Sequence, residues 1–195
     1  SAFLSLVASE LNNPMTVLLG LVPRLKPDEN SQQLPIFNLV NEQVLQLNFL
    51  IENVVAAAEI ESGEGTLSHA QTNMAKIVDE IISDFRYKTN EKSLMFIINS
   101  DERENIVTDP KKIDLILKNL IANACICSQN SSTNYITLSK TETDYTIEIQ
   151  NVGKAAEIEY EAQLFHRFLN GPDGHHGLGL GLSIVRHYTE LLNGR

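Results

Sequence analysis

Apolar residues recur at alternating steps of three and four over two stretches near the start of the chain, and this heptad spacing is the feature that most constrains the fold. The first stretch comprises Leu4, Val7, Leu11, Pro14, Leu18, Leu21 and Leu25, and the second comprises Val40, Val44, Leu47, Ile51, Val54 and Ala58. Each stretch predicts a helix with one apolar seam. The segment between them, 22–35, is rich in proline and polar residues and predicts the turn of an antiparallel helical hairpin.

A lone hairpin with such seams buries too little apolar surface to be stable by itself. Pairing two hairpins into a four-helix bundle is the usual solution, so we expect a homodimer through residues 3–60. The alternative is a hairpin that docks onto a second domain of its own chain.

The composition fits a folded protein and restricts its partners. Of the 195 residues, 43% are apolar and 21% are charged, and the formal net charge of -10 argues against nucleic acid or an anionic membrane surface as a partner. The sequence contains no apolar run near the roughly 20 residues of a membrane helix and no signal peptide. We therefore expect a cytoplasmic domain, with any membrane attachment made by parts outside this sequence. Cys125 and Cys127 point to opposite sides of a helix and are expected to be ordinary thiols.

After a polar, glycine-containing link at 61–67, the pattern changes to mixed helix and strand. It predicts helices over 72–88 and 109–128, a strand over 93–99, two strands within 135–151, and a glycine-rich entry into a helix over 177–192. The predicted fold class is therefore α+β. A helical hairpin at 1–64 is followed by an α/β sandwich at 65–195.

Two sets of small polar and glycine residues predict a nucleotide site in this second domain. Gly177, Gly179 and Gly181 allow backbone N–H groups to approach an anion, and the helix that follows presents its positive dipole end, so phosphate is the natural occupant. Alone, this pattern also fits a flexible loop with a helix cap. Asn119 and Asn123 lie four apart on one helix face, where an amide oxygen can ligate a magnesium ion that bridges phosphates.

Several segments, taken in order, resemble the successive motifs of sensor histidine kinases of two-component systems. The segments are FLSLVASELNNPM (3–15), LNFLIENVVAAAEIESGE (47–64), DPKKIDLILKNLIANA (109–124), IQNVG (149–153), LFHRF (164–168) and GLGLGLSIVRHYTELLNG (177–194). They cover nearly the whole chain. The resemblance implies a dimerisation hairpin followed by an ATP-binding domain of the GHKL type, which binds ATP and Mg²⁺ and works with a response regulator.

The resemblance also implies roles for individual residues. Asn123 would be the magnesium ligand with Asn119 beside it. The remaining nucleotide-site residues would be Asn151 and Gly153 at the adenine, Phe165 and Phe168 beneath the lid, and Gly177, Gly179 and Gly181 at the phosphates. Because the family's domain ends in a strand pair that is not found before Arg195, we expect the domain to be truncated.

The phosphoacceptor motif departs from the family pattern H-E-x-x-T/N-P. Ser9 occupies the histidine position and is followed by Glu10 and Asn13. A serine hydroxyl must lose its proton to attack, and a serine phosphate is a stable ester, so we expect autophosphorylation to be lost. Glu10 and Asn13 match the pair that positions water against the aspartyl phosphate of a regulator. A phosphatase site and an unreactive polar face both remain open.

The nucleotide motifs are also altered, which leaves a second interpretation. Asn151 replaces the family's aspartate, Ala155 replaces a glycine, and Ile126 and Asn170 stand where the family often has cations. We therefore expect weaker ATP binding than in an active kinase. The alternative is a non-catalytic pseudokinase scaffold that signals by dimerisation or through another kinase. A nucleotide-gated chaperone-type protein or a serine kinase that shares only the ATP-binding fold is disfavoured by the heptad hairpin with its SELNNP motif.

Overall fold

A computed structural model describes residues 2–63, 65–100, 105–153 and 179–195, which divide into two compact units, Ser1–Gly65 and Thr66–Arg195. The helices are α1 (Ala2–Leu21), α2 (Leu34–Ser62), α3 (Met74–Asp84), α4 (Arg86–Glu91), α5 (Pro110–Cys127) and α6 (Gly181–Leu191). The strands are β1 (Ala70–Asn73), β2 (Met95–Ser100), β3 (Asn105–Thr108), β4 (Thr133–Lys140) and β5 (Tyr145–Gln150). Within the described ranges, every helix is too short or too polar to cross a membrane.

The first unit is a helical hairpin. A 3-10 turn at Val22–Leu25 follows α1, and the short connection returns the chain as α2, so the two helices pack antiparallel. Their shared core consists of Met15, Val22, Val44 and Ile51. These contacts confirm the predicted helical hairpin as an element of the chain.

The residues of α1 that pack against α2 differ from the apolar seam predicted from the sequence. Leu11, Leu18 and Leu21 are 43%, 40% and 50% exposed, whereas Met15 and Val22 are only 3% and 6% exposed. On α2 the predicted seam is divided between buried residues such as Val44 and exposed ones such as Leu47. Among the described side chains, each helix therefore carries both buried and exposed apolar residues, and the buried ones form the contact inside the hairpin.

The second unit is mixed α+β, as predicted. Its main sheet has the order β2-β4-β5, with β2 parallel and β5 antiparallel to β4, and a separate antiparallel pair joins β1 to β3. Along β4, Ile136 and Leu138 are buried while Tyr135 is exposed, so apolar residues cover one face of the sheet. Fully buried helix residues complete this core, namely Met74, Val78, Ile81, Leu117, Ile121 and Ile184.

The predicted helix over 72–88 is wrong at its start and is interrupted near its end. Residues 70–73 form β1, and α3 begins at Met74 because the Asn73 side chain caps it, accepting a hydrogen bond from the Lys76 backbone N–H at 2.8 Å. Phe85 separates α3 from α4. The short pair β1 and β3 was not predicted, whereas β2, α5, β4, β5 and α6 are confirmed.

Helix α5 is held at both ends by side chains. At its start, Asp109 is the N-cap and Pro110 is the first helical residue. At its end, the Lys92 ammonium donates to the carbonyl oxygens of Cys125 at 3.0 Å, Ile126 at 2.5 Å and Ser128 at 3.1 Å. A cation at a helix C-terminus also complements the helix dipole. These contacts fix the helix on which Asn119 and Asn123 lie.

Candidate functional site

Helix α5 presents Asn119 and Asn123 with different accessibility. Asn119 is 4% exposed, and its Nδ2 donates to the Leu115 carbonyl oxygen at 2.9 Å. Asn123 is half-buried, one turn further along the same helix face. The amide of Asn123 is therefore the more accessible of the two to a ligand.

Gly181, at the start of α6, packs against α5. Gly179 has a φ of +64°, in the left-handed region that favours glycine, and Gly181 is the first residue of α6. A Cβ on Gly181 would lie 2.5 Å from Oδ1 of Asn119. The structure thus brings two of the sequence-predicted site residues, Asn119 and Gly181, into direct contact. Leu180 occupies the N-cap position and has no polar atom in its side chain with which to cap the first turn.

Backbone hydrogen bonding joins the segment after β5 to the segment after α5. Gly153 forms an isolated antiparallel bridge with Ser128, and the Gln129 backbone N–H donates to the Val152 carbonyl oxygen at 2.8 Å. A Cβ on Gly153 would lie 1.9 Å from the Cys127 carbonyl oxygen, so this position accepts only glycine. The preceding Asn151 is exposed, with its amide available to a ligand.

A buried lysine also joins the two helices of the site. Lys112 on α5 is only 9% exposed, and its ammonium lies 4.4 Å from the ring centroid of Tyr188 on α6. The same ammonium is 3.4 Å from the Tyr188 hydroxyl. This cation–π contact packs α6 against α5.

The two cysteines lie near the end of α5 and differ in environment. Cys125 is buried, and desolvation raises the pKa of its thiol to about 11 despite the nearby positive charges of Lys88 and Lys92. Cys127 is exposed. Ile126, which stands where the family often has a cation, is a half-buried apolar residue.

Some predicted site residues lie outside the part of the chain that the structure describes. Ser9 and Glu10 belong to α1, but their side chains lie outside the described part of the structure, whereas Asn13 is described and exposed. The others outside the described residues are Ala155, Phe165, Phe168, Asn170 and Gly177.

Sequence reasoning missed the contacts that hold the site together. The Asp-Pro pair at 109–110 is a recognisable helix start, so Asp109 could have been found as an N-cap. Lys92 and Gly153 gave no local signal of their packing roles, because their partners are distant in sequence or are backbone atoms.

Comparison with known proteins first defines the class of the second unit. Residues 108–195 match the family model described as histidine kinase-, DNA gyrase B- and HSP90-like ATPase. This range contains α5, β4, β5 and α6, and with them Asn119, Asn123, Asn151, Gly153 and Gly181.

Whole-chain similarity extends to sensor kinases. The signal transduction histidine-protein kinase BarA of Escherichia coli is 24% identical over 205 residues, a match that covers 100% of this chain and 22% of BarA. This chain thus spans about a fifth of the length of that relative. Full-length ShkA in complex with AMPPNP has a TM-score of 0.69 at 19% identity, covering 98% of this chain and 41% of that one. The histidine kinase ThkA in complex with the response regulator protein TrrA has a TM-score of 0.59 at 22% identity, covering 100% and 55%.

Residues 108–195 therefore form an ATPase domain of the GHKL type, and the chain as a whole is similar to sensor histidine kinases of two-component signalling.

Proposed function

We propose that this chain is the core of a two-component sensor, with a dimerisation hairpin at 1–64 and a domain at 65–195 that binds ATP and Mg²⁺. The observation that carries the proposal is the contact of Asn119 with Gly181, because it unites the two motifs predicted to hold a metal-bound nucleotide. Because ATP and response regulators are cytoplasmic, we propose that this core works in the cytoplasm.

The described residues fit a magnesium nucleotide. The half-buried Asn123 offers the hard oxygen that Mg²⁺ prefers, and the positive end of α6 beyond Gly179 suits phosphate. Asn151 is exposed and can accept from the adenine amino group through its amide oxygen, with Gly153 beside it. By resemblance, we also assign Phe165, Phe168 and Gly177 to the nucleotide site; all three lie outside the described residues. When bound, Mg²⁺ neutralises charge on the phosphates.

The acceptor position is proposed to be silent. A neutral histidine has a lone pair ready near pH 7, whereas the hydroxyl of Ser9 needs a strong base, and the carboxylate of Glu10 is a weak one. A phosphate placed on Ser9 would form a stable ester that cannot be passed on to an aspartate. The chain therefore binds ATP without labelling itself.

Incubation with γ-labelled ATP tests this proposal directly. We expect no label on the wild-type protein and acid-labile label on Ser9→His, because the substitution restores the acceptor beside an intact nucleotide site. Asn38→His places an exposed histidine on α2, the other helix of the hairpin, and is the matched control. Label on the wild-type chain, or none on Ser9→His although ATP is bound, would contradict the proposal.

The exposed apolar residues of the hairpin support a homodimer through residues 3–60. The large ones are Leu11, Leu18, Leu21, Leu25, Ile36, Leu39, Val40, Leu47 and Leu50. So many exposed large apolar residues on one hairpin are typical of an interaction site, and pairing two hairpins into a four-helix bundle would bury them. Light scattering after gel filtration should give a dimer for the wild type and for Asn38→Glu, and a monomer for Leu18→Glu combined with Leu47→Glu. A dimeric double variant would contradict this assignment.

A response regulator receiver domain is the proposed partner, in keeping with the ThkA complex with TrrA. Glu10 and Asn13 can orient a water that attacks the phosphorus of an aspartyl phosphate, releasing inorganic phosphate and the free aspartate. This hydrolysis does not need the missing histidine. Phosphate release from a receiver charged with acetyl phosphate should slow at least tenfold in Asn13→Ala and stay unchanged in Asn12→Ala. Equal rates in both variants would favour an unreactive helix face.

A pseudokinase scaffold is the second candidate, and Ile126 is the observation that favours it. This half-buried apolar residue stands where the family often has a phosphate cation. The scaffold would signal by dimerisation or by modulating another kinase, and it predicts no affinity for Mg-ATP.

A further inference from the structure

The side chain of Asn119 is enclosed between its own helix and the first residue of α6. It is 4% exposed, and its Nδ2 donates to the Leu115 carbonyl oxygen at 2.9 Å. Oδ1 and Cγ of the same side chain lie 2.5 Å and 3.3 Å from the position that a Cβ on Gly181 would take. The carboxamide therefore rests against the backbone of Gly181.

The orientation of this carboxamide is fixed by the bond to Leu115. Only the amide nitrogen can donate to that carbonyl, so Oδ1 must point the other way, toward α6. A contact of 2.5 Å with a Cβ would not be tolerated, so residue 181 must be glycine as long as Asn119 is present. The side chain of Asn119 thus fills the space that a side chain at residue 181 would need.

Asn123 is placed differently although it shares the same helix face. It is half-buried and lies about 6 Å further along α5, the length of four helical residues. The two amides therefore have different surroundings, since that of Asn119 is packed against backbone and that of Asn123 is accessible to a ligand.

We propose that Asn119 is a positioning residue, which sets where α6 begins and thereby where the Gly179–Gly181 backbone meets the phosphates, while Asn123 alone of the pair contacts the metal. This inference rests on the proposed function. It predicts that Asn119 and Gly181 act as a steric pair and that losing Asn119 does not remove the dependence of binding on Mg²⁺.

The first experiment is a double-mutant cycle of Asn119→Ala and Gly181→Ala, read by calorimetric titration of ATP. We expect Gly181→Ala to weaken Mg-ATP binding at least tenfold through the clash with Oδ1. The double variant should bind at least threefold more tightly than Gly181→Ala, because shortening Asn119 makes room for the new methyl group. The steric pairing would be overturned if the affinity loss of the double variant equalled the product of the two single losses. Unchanged binding in Gly181→Ala would overturn it as well.

The second experiment separates positioning from metal ligation by repeating the titrations in EDTA. Asn119→Ala should lower ATP affinity by the same factor with and without Mg²⁺, whereas Asn123→Ala should lower it only with Mg²⁺. A loss in Asn119→Ala confined to Mg²⁺ conditions would make Asn119 a metal ligand and overturn the proposal.

Urea unfolding midpoints of the wild type, the two single variants and the double variant test the steric pair independently of ATP binding. If the wild type binds no ATP, the proposed function fails, and the midpoints still decide the pairing of Asn119 with Gly181. Non-additive midpoints would then support the steric pair, and additive midpoints would overturn it.

Discussion

Replacing Asp109 with alanine removes the acceptor of three backbone N–H groups at the start of α5. Oδ1 accepts from Lys111 at 3.0 Å and from Lys112 at 3.1 Å, and Oδ2 accepts from Ser68 at 2.7 Å. The first two bonds cap the helix, and the third ties the segment that precedes β1 to the same carboxylate. Asp109 itself is buried.

The expected loss follows from these bonds. Removing an N-cap lowers the free energy of unfolding by about 0.5–2 kcal/mol, and a hydrogen bond to a charged group contributes about 1.5–3 kcal/mol. We therefore expect Asp109→Ala to destabilise the second unit by about 2–5 kcal/mol at pH 7. Asp109→Asn should lose less, because its amide oxygen still caps the helix.

The loss should also depend on pH in a defined direction. Burial favours the neutral carboxyl group, but the N–H donors of Ser68, Lys112 and Lys111 outweigh it and hold the pKa of Asp109 below its ordinary value. The contribution of the carboxylate is thus fully present above the ordinary carboxyl pKa and is lost as pH falls through the lowered one. The difference between wild type and Asp109→Ala should therefore shrink only in acid, below about pH 4.

Urea unfolding followed by tyrosine fluorescence measures this difference in the second unit alone. The chain has no tryptophan, and all 5 tyrosines lie in residues 66–195. Asp79→Ala, at an exposed position on α3, is the matched control and should stay within about 0.5 kcal/mol of wild type. A loss below that value in Asp109→Ala, or one that is unchanged in acid, would contradict the capping role of the Asp109 carboxylate.

Three further predictions concern the end of α5. Lys92→Met should lower the free energy of unfolding by about 1–3 kcal/mol, since three carbonyl oxygens lose their donor, whereas the exposed Lys76→Met should have little effect in the same urea assay. Gly153→Ala should shift the urea midpoint further than Lys76→Met, because a Cβ would lie 1.9 Å from the Cys127 carbonyl oxygen; an unchanged midpoint would contradict this. At pH 8 a thiol reagent should label Cys127 in the folded protein and reach Cys125 only in urea, because burial raises the pKa of the Cys125 thiol to about 11.

Local patterns in the sequence predicted the elements whose signals are local. The apolar periodicity of 109–128 and the alternation within 135–151 correspond to α5, β4 and β5. The pair β1 and β3 escaped prediction because each strand has 4 residues, and Gln71 pairs with Val107 far along the chain. Periodicity also could not tell which of the apolar residues on α1 face α2, because that choice depends on packing between helices.

The candidate site was predicted in its parts but not in its assembly. The spacing of Asn119 and Asn123 indicated a shared face of α5, but no sequence pattern distinguishes a buried amide from an accessible one. Their difference arises from Gly181, which packs on Asn119 from a helix 62 positions further along. Tertiary packing, rather than local propensity, gives each asparagine its environment.

Calorimetric titration of Mg-ATP into the wild type and Asn123→Ala decides whether this domain binds a metal nucleotide through Asn123. We expect saturable binding to the wild type, an affinity at least tenfold lower in Asn123→Ala, and no change in Asn130→Ala, which alters an exposed asparagine just beyond α5. Equal affinity in all three proteins would contradict the assigned metal ligand. No binding to the wild type would contradict the ATP-binding account itself and favour the scaffold.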